Sequence, residues 1–202
     1  MSEELETASR HAPSIADQQG KLAQLRFALR QRRALLPHTK RRSASLAVAK
    51  RLRALRLLRK GRRIAVYKAI DGEIDLDPII HYALTAGCAL YEPHIVSMRA
   101  RTMQFVALSR PTRQPHAPLR VIDPRRLDLV LVPLVAFDRN GWRLGFGAGF
   151  YDRKFAFLRR GLAPKPMLIG VGYDFQRVTT QKPQPWDVAL DGVVTERRFY
   201  SR

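Results

Sequence analysis

The chain has 202 residues, 46% of them hydrophobic, which is enough to bury the core of one α/β domain. It has no apolar run near the roughly 18 residues of a membrane span, and one cysteine, Cys88, excludes an internal disulfide. The polar opening MSEELETASR lacks the basic start and apolar stretch of a secretory signal, so a cytoplasmic protein is expected, and the formal charge of +20 points to anionic partners.

Residues 1–19 show no apolar period and read as a disordered tail, leaving 20–202 as one domain. From Lys21, the residues Leu22, Leu25, Leu29 and Leu36 keep helical spacing, with Arg26, Arg30 and Arg33 on a neighbouring face, and Pro37 stops the helix. A second helix is expected from about Ser43 to Arg59, ended by Gly61. IAVYKAI (64–70) reads as a strand. Asp77-Pro78 reads as an N-cap and first-turn proline of a helix running to Gly87. CALY (88–91) and MQFVAL (103–108) are further strands, and 109–120 is a Pro- and Arg-rich loop. LDLVLVPLVAF (127–137) is the most apolar run, followed by a helix from about Phe150 to Arg160, then strands MLIGVGY (167–173) and DGVVT (191–195). Short apolar strands interleaved with helices predict a largely parallel sheet covered on both faces. Between Gln18 and Ile70 there is no Asp or Glu, and this stretch reads either as an anion-binding arm or as a solvated basic helix surface.

FDRNGWRLGFGAGFYDRKF (137–155) carries the chemistry. Asn140-Gly141 turns the chain at the end of the buried strand. Gly145, Gly147 and Gly149 then alternate, so backbone amides can approach a ligand, and the start of the next helix adds free amides and a positive dipole end. With Arg153 and Lys154 read into the first helical turn, a bound phosphate would offset their unfavourable place there. Asp152 beside such a phosphate makes sense as a Mg²⁺ ligand. The motif lacks the Lys-Ser/Thr of a P-loop and the spacing of a dinucleotide fingerprint. The histidines show no metal-ligand spacing.

VPLVAFDRNGWRLGFGAGFYDR resembles the signature of the 5-formyltetrahydrofolate cyclo-ligase (5,10-methenyltetrahydrofolate synthetase) family. Supporting similarity runs from Leu22 to Thr195, including Leu25-Arg26, DGEID (71–75), Gln176 and WDVALDGVVTE (186–196). The resemblance implies a three-layer α/β/α sandwich and an ATP- and Mg²⁺-dependent ring closure of 5-formyltetrahydrofolate. In that reaction the formyl oxygen attacks the γ-phosphate, N10 attacks the activated carbon, and phosphate leaves.

By the same resemblance, Arg26, Arg143, Gly145, Phe146, Gly147, Ala148, Gly149, Phe150 and Tyr151 hold ATP. Lys68 and Glu73 contact the folate, and Asp152 and Asp187 hold Mg²⁺. The implied partners are the two small molecules, with no membrane and a monomeric enzyme. The chain departs from the family pattern at Phe146 and Ala148, where a basic residue and a glycine are common, and in the shortened 109–120 segment. A nucleic-acid-binding protein on a related scaffold, and an ATP-using enzyme that has lost folate, are the alternatives.

Overall fold

The computed structural model describes residues 15–108, 119–161, 166–179 and 183–202. Helices α1 (Ile15–Ala34) and α2 (His38–Ala54) precede the first strand, β1 (Arg63–Ala65). Helix α3 (Asp77–Thr85) crosses over to β2 (Ala89–Ser97), parallel to β1, and β3 (Thr102–Ala107) and β4 (Val121–Ile122) extend that edge antiparallel. The chain then returns to the other side of β1 as β5 (Leu129–Pro133). A small antiparallel hairpin of β6 (Ala136–Phe137) and β7 (Arg143–Leu144) and the short helix α4 (Phe150–Lys154) follow. Strands β8 (Met167–Val171) and β9 (Gly192–Val194) continue the sheet in parallel, and β10 (Phe199–Ser201) closes it antiparallel. The eight-stranded order is β10-β9-β8-β5-β1-β2-β3-β4.

Period-2 alternation explains the layers. In β5, Leu129 and Leu131 enter one apolar cluster with Val48, Leu52 and Ile79 of α2 and α3, while Val130 and Val132 enter another with Phe155. Both faces are dry, which is why this strand reads as continuous apolar sequence. The layers are thus α2 and α3, the sheet, and a thin cover of α4 with the 3₁₀ turn Ala156–Arg160. Helix α1 packs Leu29 against Val135, Ala136 and Leu144 of the hairpin region instead. Among the described residues, no helix is long and apolar enough to cross a membrane.

Several expected boundaries are corrected. Helix α1 begins at Ile15, so the last residues of the expected tail are helical, and residues 1–14 lie outside the described ones. Helix α2 starts directly after Pro37 and stops near Leu55, because Leu57 and Leu58 turn inward and Arg56 takes φ +54°. Asp77 is inside α3 rather than its cap, and its N–H donates to Asp75 Oδ1 at 3.1 Å. The apolar run 127–137 breaks after Pro133, which has no N–H for a continuing ladder. The helix expected over 150–160 is α-helical only to Lys154, since Phe155 plunges fully into the core. Strand β1 is shorter and β2 longer than expected, and β4, β7 and β10 have no clear sequence pattern. Most of the 109–120 loop lies outside the described residues.

Candidate active site

The parallel strands run β9-β8-β5-β1-β2, so the chain leaves β1 toward β2 and later returns to its opposite side as β5. The crevice beyond the carboxyl ends of β1 and β5 is therefore the topological switch point, where open α/β sheets bind ligands. The segments leaving these two strands carry the expected folate and phosphate residues.

Beyond β1, the chain makes a tight turn at Asp71-Gly72, with φ +48° and +72°. A Cβ on Gly72 would stand 3.1 Å from the Arg33 carbonyl oxygen, so α1 approaches this turn too closely for a larger residue. Arg33 anchors the approach. Its Nε donates to the Asp71 carbonyl at 2.7 Å and its Nη1 to the Leu134 carbonyl at 3.3 Å, joining the exits of β1 and β5. The same Nη1 is 3.7 Å from Glu73 Oε1, and these side chains are only 1% and 4% exposed. Glu73 Oε2 accepts the Ile70 N–H at 3.1 Å, whereas Oε1 and Arg33 Nη2 are buried without hydrogen-bond partners. Burial pushes the Glu73 carboxyl up to about 7, with the Ile70 N–H and the Arg33 charge opposing the rise. Lys68 lies exposed on the same segment and bonds to none of these groups among the described residues.

The glycine loop is tied to the same helix. Arg26 Nε donates to the Gly145 carbonyl at 3.0 Å, and burial lowers the Arg26 pKa. Phe146 lies under the guanidiniums of Arg30 and Arg33, 5.1 and 5.6 Å from the ring centre, and Arg30 also pairs with Asp71. Gly147 and Gly149 take φ +103° and +69°, and a Cβ on Gly145, Gly147 or Gly149 would meet nothing within 4 Å. The loop is thus bent by glycine but not filled, leaving open space over its amides. Ala148 and Phe150 are half-buried within it.

Arg153 and Lys154 do not lie in the first turn of α4, contrary to the expectation from sequence. Helix α4 has five residues, with Arg153 and Lys154 in its last turn and Asp152 in its first, so neither cation opposes a helix dipole.

Asp152 instead faces Arg143. Arg143 Nη2 donates to Asp152 Oδ1 at 2.7 Å, Nη1 donates to the Val188 carbonyl at 2.6 Å, and the Val188 N–H returns to Asp152 Oδ1 at 3.1 Å. Both bonds to Asp152 fall on Oδ1, leaving Oδ2 without one among the described residues. Asp187 is next in the chain to Val188, and its Oδ2 accepts the Gln184 N–H at 2.8 Å. Its carboxyl is pushed above the usual range, first by burial, with the Gln184 N–H opposing and the Asp152 charge adding to the rise. Two carboxylates that repel each other suit a divalent cation, and two are what Mg²⁺ commonly takes from protein beside phosphates and water. The described residues hold no group of three or more acidic, histidine or cysteine ligands. Asp187 and Val188 line a cleft of about 530 Å³ with Trp142, Arg159 and Arg202. Tyr151 sits between the two groups: burial and the Glu73 charge push its phenol well above its ordinary range while Arg143 pulls it down.

Two contributors were not singled out by sequence. Arg33 was visible only as one of three arginines on a helix face. Gln176, noted for resemblance alone, donates to the Leu134 and Val135 carbonyls at 3.1 and 2.8 Å and accepts the Tyr173 N–H at 2.8 Å, clasping the exits of β5 and β8.

Residues 18–196 match the model of the 5-formyltetrahydrofolate cyclo-ligase family. The chain is 30% identical to the Escherichia coli 5-formyltetrahydrofolate cyclo-ligase over 182 residues, 85% of this chain and 98% of that one. It is 28% identical to the Haemophilus influenzae protein of the same name, over 84% and 95% of the two chains. Among solved structures it is similar to the 5,10-methenyltetrahydrofolate synthetase of Mycoplasma pneumoniae, with a TM-score of 0.72 and 25% identity over 87% of this chain and 98% of that one. The Aquifex aeolicus synthetase gives the same TM-score at 29% identity, over 89% and 92%. With nearly the whole domain matched in sequence and in fold, the chain belongs to the 5-formyltetrahydrofolate cyclo-ligase family.

Proposed function

We propose that the protein closes 5-formyltetrahydrofolate to 5,10-methenyltetrahydrofolate at the expense of ATP, releasing ADP and phosphate, as a monomer with these two small molecules as its partners. The observation that carries this reading is the bridge made by α1: Arg33 holds Glu73 while Arg26 holds the glycine loop, so a carboxylate and a phosphate cradle share one support. In this reading the amides of Gly145–Tyr151 receive the triphosphate in the open space above the loop. Arg26 supplies positive charge once a phosphate competes with the Gly145 carbonyl. Arg143 acts through Asp152, which it orients, since its guanidinium is already engaged by protein. Asp152 and Asp187 would hold Mg²⁺, which when bound neutralises phosphate charge.

Glu73 accepts hydrogen bonds from ring N–H groups of the folate, and Lys68, at the rim, meets the substrate from solvent. Held side by side, the formyl oxygen attacks the γ-phosphorus and ADP departs. N10 then attacks the activated carbon, losing its proton as phosphate leaves. Positioning supplies most of the rate in such a reaction. The test is direct: protein, 5-formyltetrahydrofolate, ATP and Mg²⁺ are mixed and methenyltetrahydrofolate absorbance is followed. ATP binding with no folate-dependent absorbance or ADP release would overturn the folate assignment.

A further inference from the structure

The basic stretch before Asp71 is only partly used by the site above. Its segment Arg59–Arg63 emerges at the other end of the sheet, where β1 and β5 begin. There Arg59, Arg62 and Arg63 meet Arg125, Arg126 and Asp128 around an open cleft of about 490 Å³. Both arms are fixed by backbone bonds. The Arg62 N–H donates to the Arg59 carbonyl at 3.1 Å, and the Gly61 N–H to the Gly87 carbonyl at 3.0 Å. On the other arm, the 3₁₀ turn Pro124–Arg126 is capped by Asp123, whose Oδ1 accepts the Arg125 N–H at 2.9 Å.

The charges in the cleft are unevenly matched. Asp128 is consumed by Arg63, accepting its backbone N–H at 2.7 Å and a two-point guanidinium contact at 3.0 and 3.0 Å. Arg125 is 3.8 Å from Asp123 and lies over the Phe157 ring at 4.6 Å, which orients its plane. Arg62 donates to the Leu57 carbonyl at 3.4 Å and forms no ion pair among the described residues. Arg59 and Arg126 are exposed and form no ion pair among the described residues. Five guanidiniums against Asp128, which lines the cleft, and Asp123, beside Arg125, leave a formal +3 around a space a few phosphate groups would fill. Planar guanidinium forks match phosphate oxygens in pairs, and convergent like charges repel one another until an anion enters.

We infer that this cleft is a second anion site, taking a free oligophosphate of two or more linked phosphate groups at the end of the sheet opposite the glycine loop. The separation by the length of the strands makes it independent of the cyclo-ligase site. Its test does not depend on that activity being right. The size of the cleft favours a short oligophosphate over a nucleic-acid backbone, whose phosphates would continue beyond it.

Titration calorimetry at 0.15 M salt compares tripolyphosphate, orthophosphate and a single-stranded oligonucleotide, using the whole protein and the double variant Arg59→Ser/Arg126→Ser. Both substitutions remove exposed side chains that form no hydrogen bond or ion pair among the described residues, and a melting curve checks the fold. The expected result is that tripolyphosphate binds the parent protein at least tenfold more tightly than orthophosphate. One binding event is lost or weakened tenfold in the variant. If the double variant melts early, Arg126→Glu alone provides the same comparison. Tripolyphosphate isotherms identical in parent and variant would overturn the inference. So would an oligonucleotide that binds more tightly than tripolyphosphate at equal phosphate concentration, which would make this a nucleic-acid face.

Discussion

Replacing Arg33 with Met tests the link between α1 and Glu73 most sharply. The substitution keeps an unbranched apolar stem but removes two donors and the charge 3.7 Å from a carboxyl that is almost fully buried. Two effects follow, and pH separates them. The first is loss of the bonds to the Asp71 and Leu134 carbonyls; Leu134 keeps Gln176 as a partner, so the cost is about 1–2 kcal/mol and independent of pH. The second depends on whether Glu73 is ionised. With its folded pKa raised from 4.5 to about 7, Glu73 is protonated in the parent at pH 5, and the lost ion pair is not felt there. At pH 9 it is ionised, and removing the partner of a buried charge costs about 3–5 kcal/mol, unless the group protonates at a cost of similar order.

The sign is the usual one for a raised carboxyl. Stability is full below 4.5 and is lost as pH rises toward 7, and without Arg33 the loss continues to higher pH. Urea unfolding of parent and variant at pH 5 and pH 9 should therefore show a gap that grows by at least about 2 kcal/mol between them. The folate KM of the variant should rise more than its ATP KM, with the acid limb of folate kcat/KM moving above its position near pH 7. A stability gap equal at both pH values would refute the reasoning, because it would mean that Glu73 does not depend on Arg33.

Glu73→Gln should raise the folate KM while leaving the ATP KM nearly unchanged, and should flatten the pH dependence of folate kcat/KM near 7; steady-state kinetics across pH 6–9 check both. Asp152→Asn keeps an acceptor for the Val188 N–H but removes the charge facing Arg143, and turnover should fall at least about 100-fold with a higher Mg²⁺ requirement, read by Mg²⁺ titration. Gly149→Ala places a side chain in open space but in the left-handed region, so it should cost only about 1–2 kcal/mol in unfolding assays. If the loop holds phosphate, its ATP KM should nevertheless rise tenfold or more. Gly141→Ala is the opposite case: the new Cβ would lie 2.5 Å from the Leu190 carbonyl oxygen, and thermal unfolding should show a loss of roughly 2–4 kcal/mol.

The layers and the glycine loop were legible because they rest on local signals. Doubly buried strands such as 129–133 are continuous apolar runs, and Gly147 and Gly149 mark positive φ directly. The elements without such a signal were missed. Strands β4 and β7 have two residues each, too few to show a period, and exist because a neighbour offers a ladder. The end of the 150–160 helix depended on how deeply Phe155 enters the core, which its own neighbours in sequence do not reveal. At the site, residue types were readable but their engagement was not. Arg143 looks in sequence like a free phosphate contact, and only the fold brings Val188 and Asp152 against it. Arg33 looked like its solvated neighbours, yet it is the arginine the tertiary structure buries at the switch point.

The spacing of Arg26, Arg30 and Arg33 lets this helix tie the glycine loop to the turn after β1. Steps of four and three residues put all three on one face. That face touches the Gly145 carbonyl, Asp71 and Glu73 in turn. The first contact reaches the glycine loop and the other two the turn after β1, so neither loop alone fixes the arrangement. In the proposed reaction the glycine loop and the buried carboxylate keep a set distance so that the formyl oxygen meets a γ-phosphate, and a rigid helix spanning both would maintain it better than either loop. Phe146 reinforces the same coupling, since its ring rests on Arg30 and Arg33 rather than pointing into the open space above the glycines. On the proposed function, a nucleotide that pulled Arg26 or Phe146 from these contacts would loosen the support of Glu73 at the same time. In the proposed reaction, α1 would tie occupancy of the glycine loop to the support of Glu73.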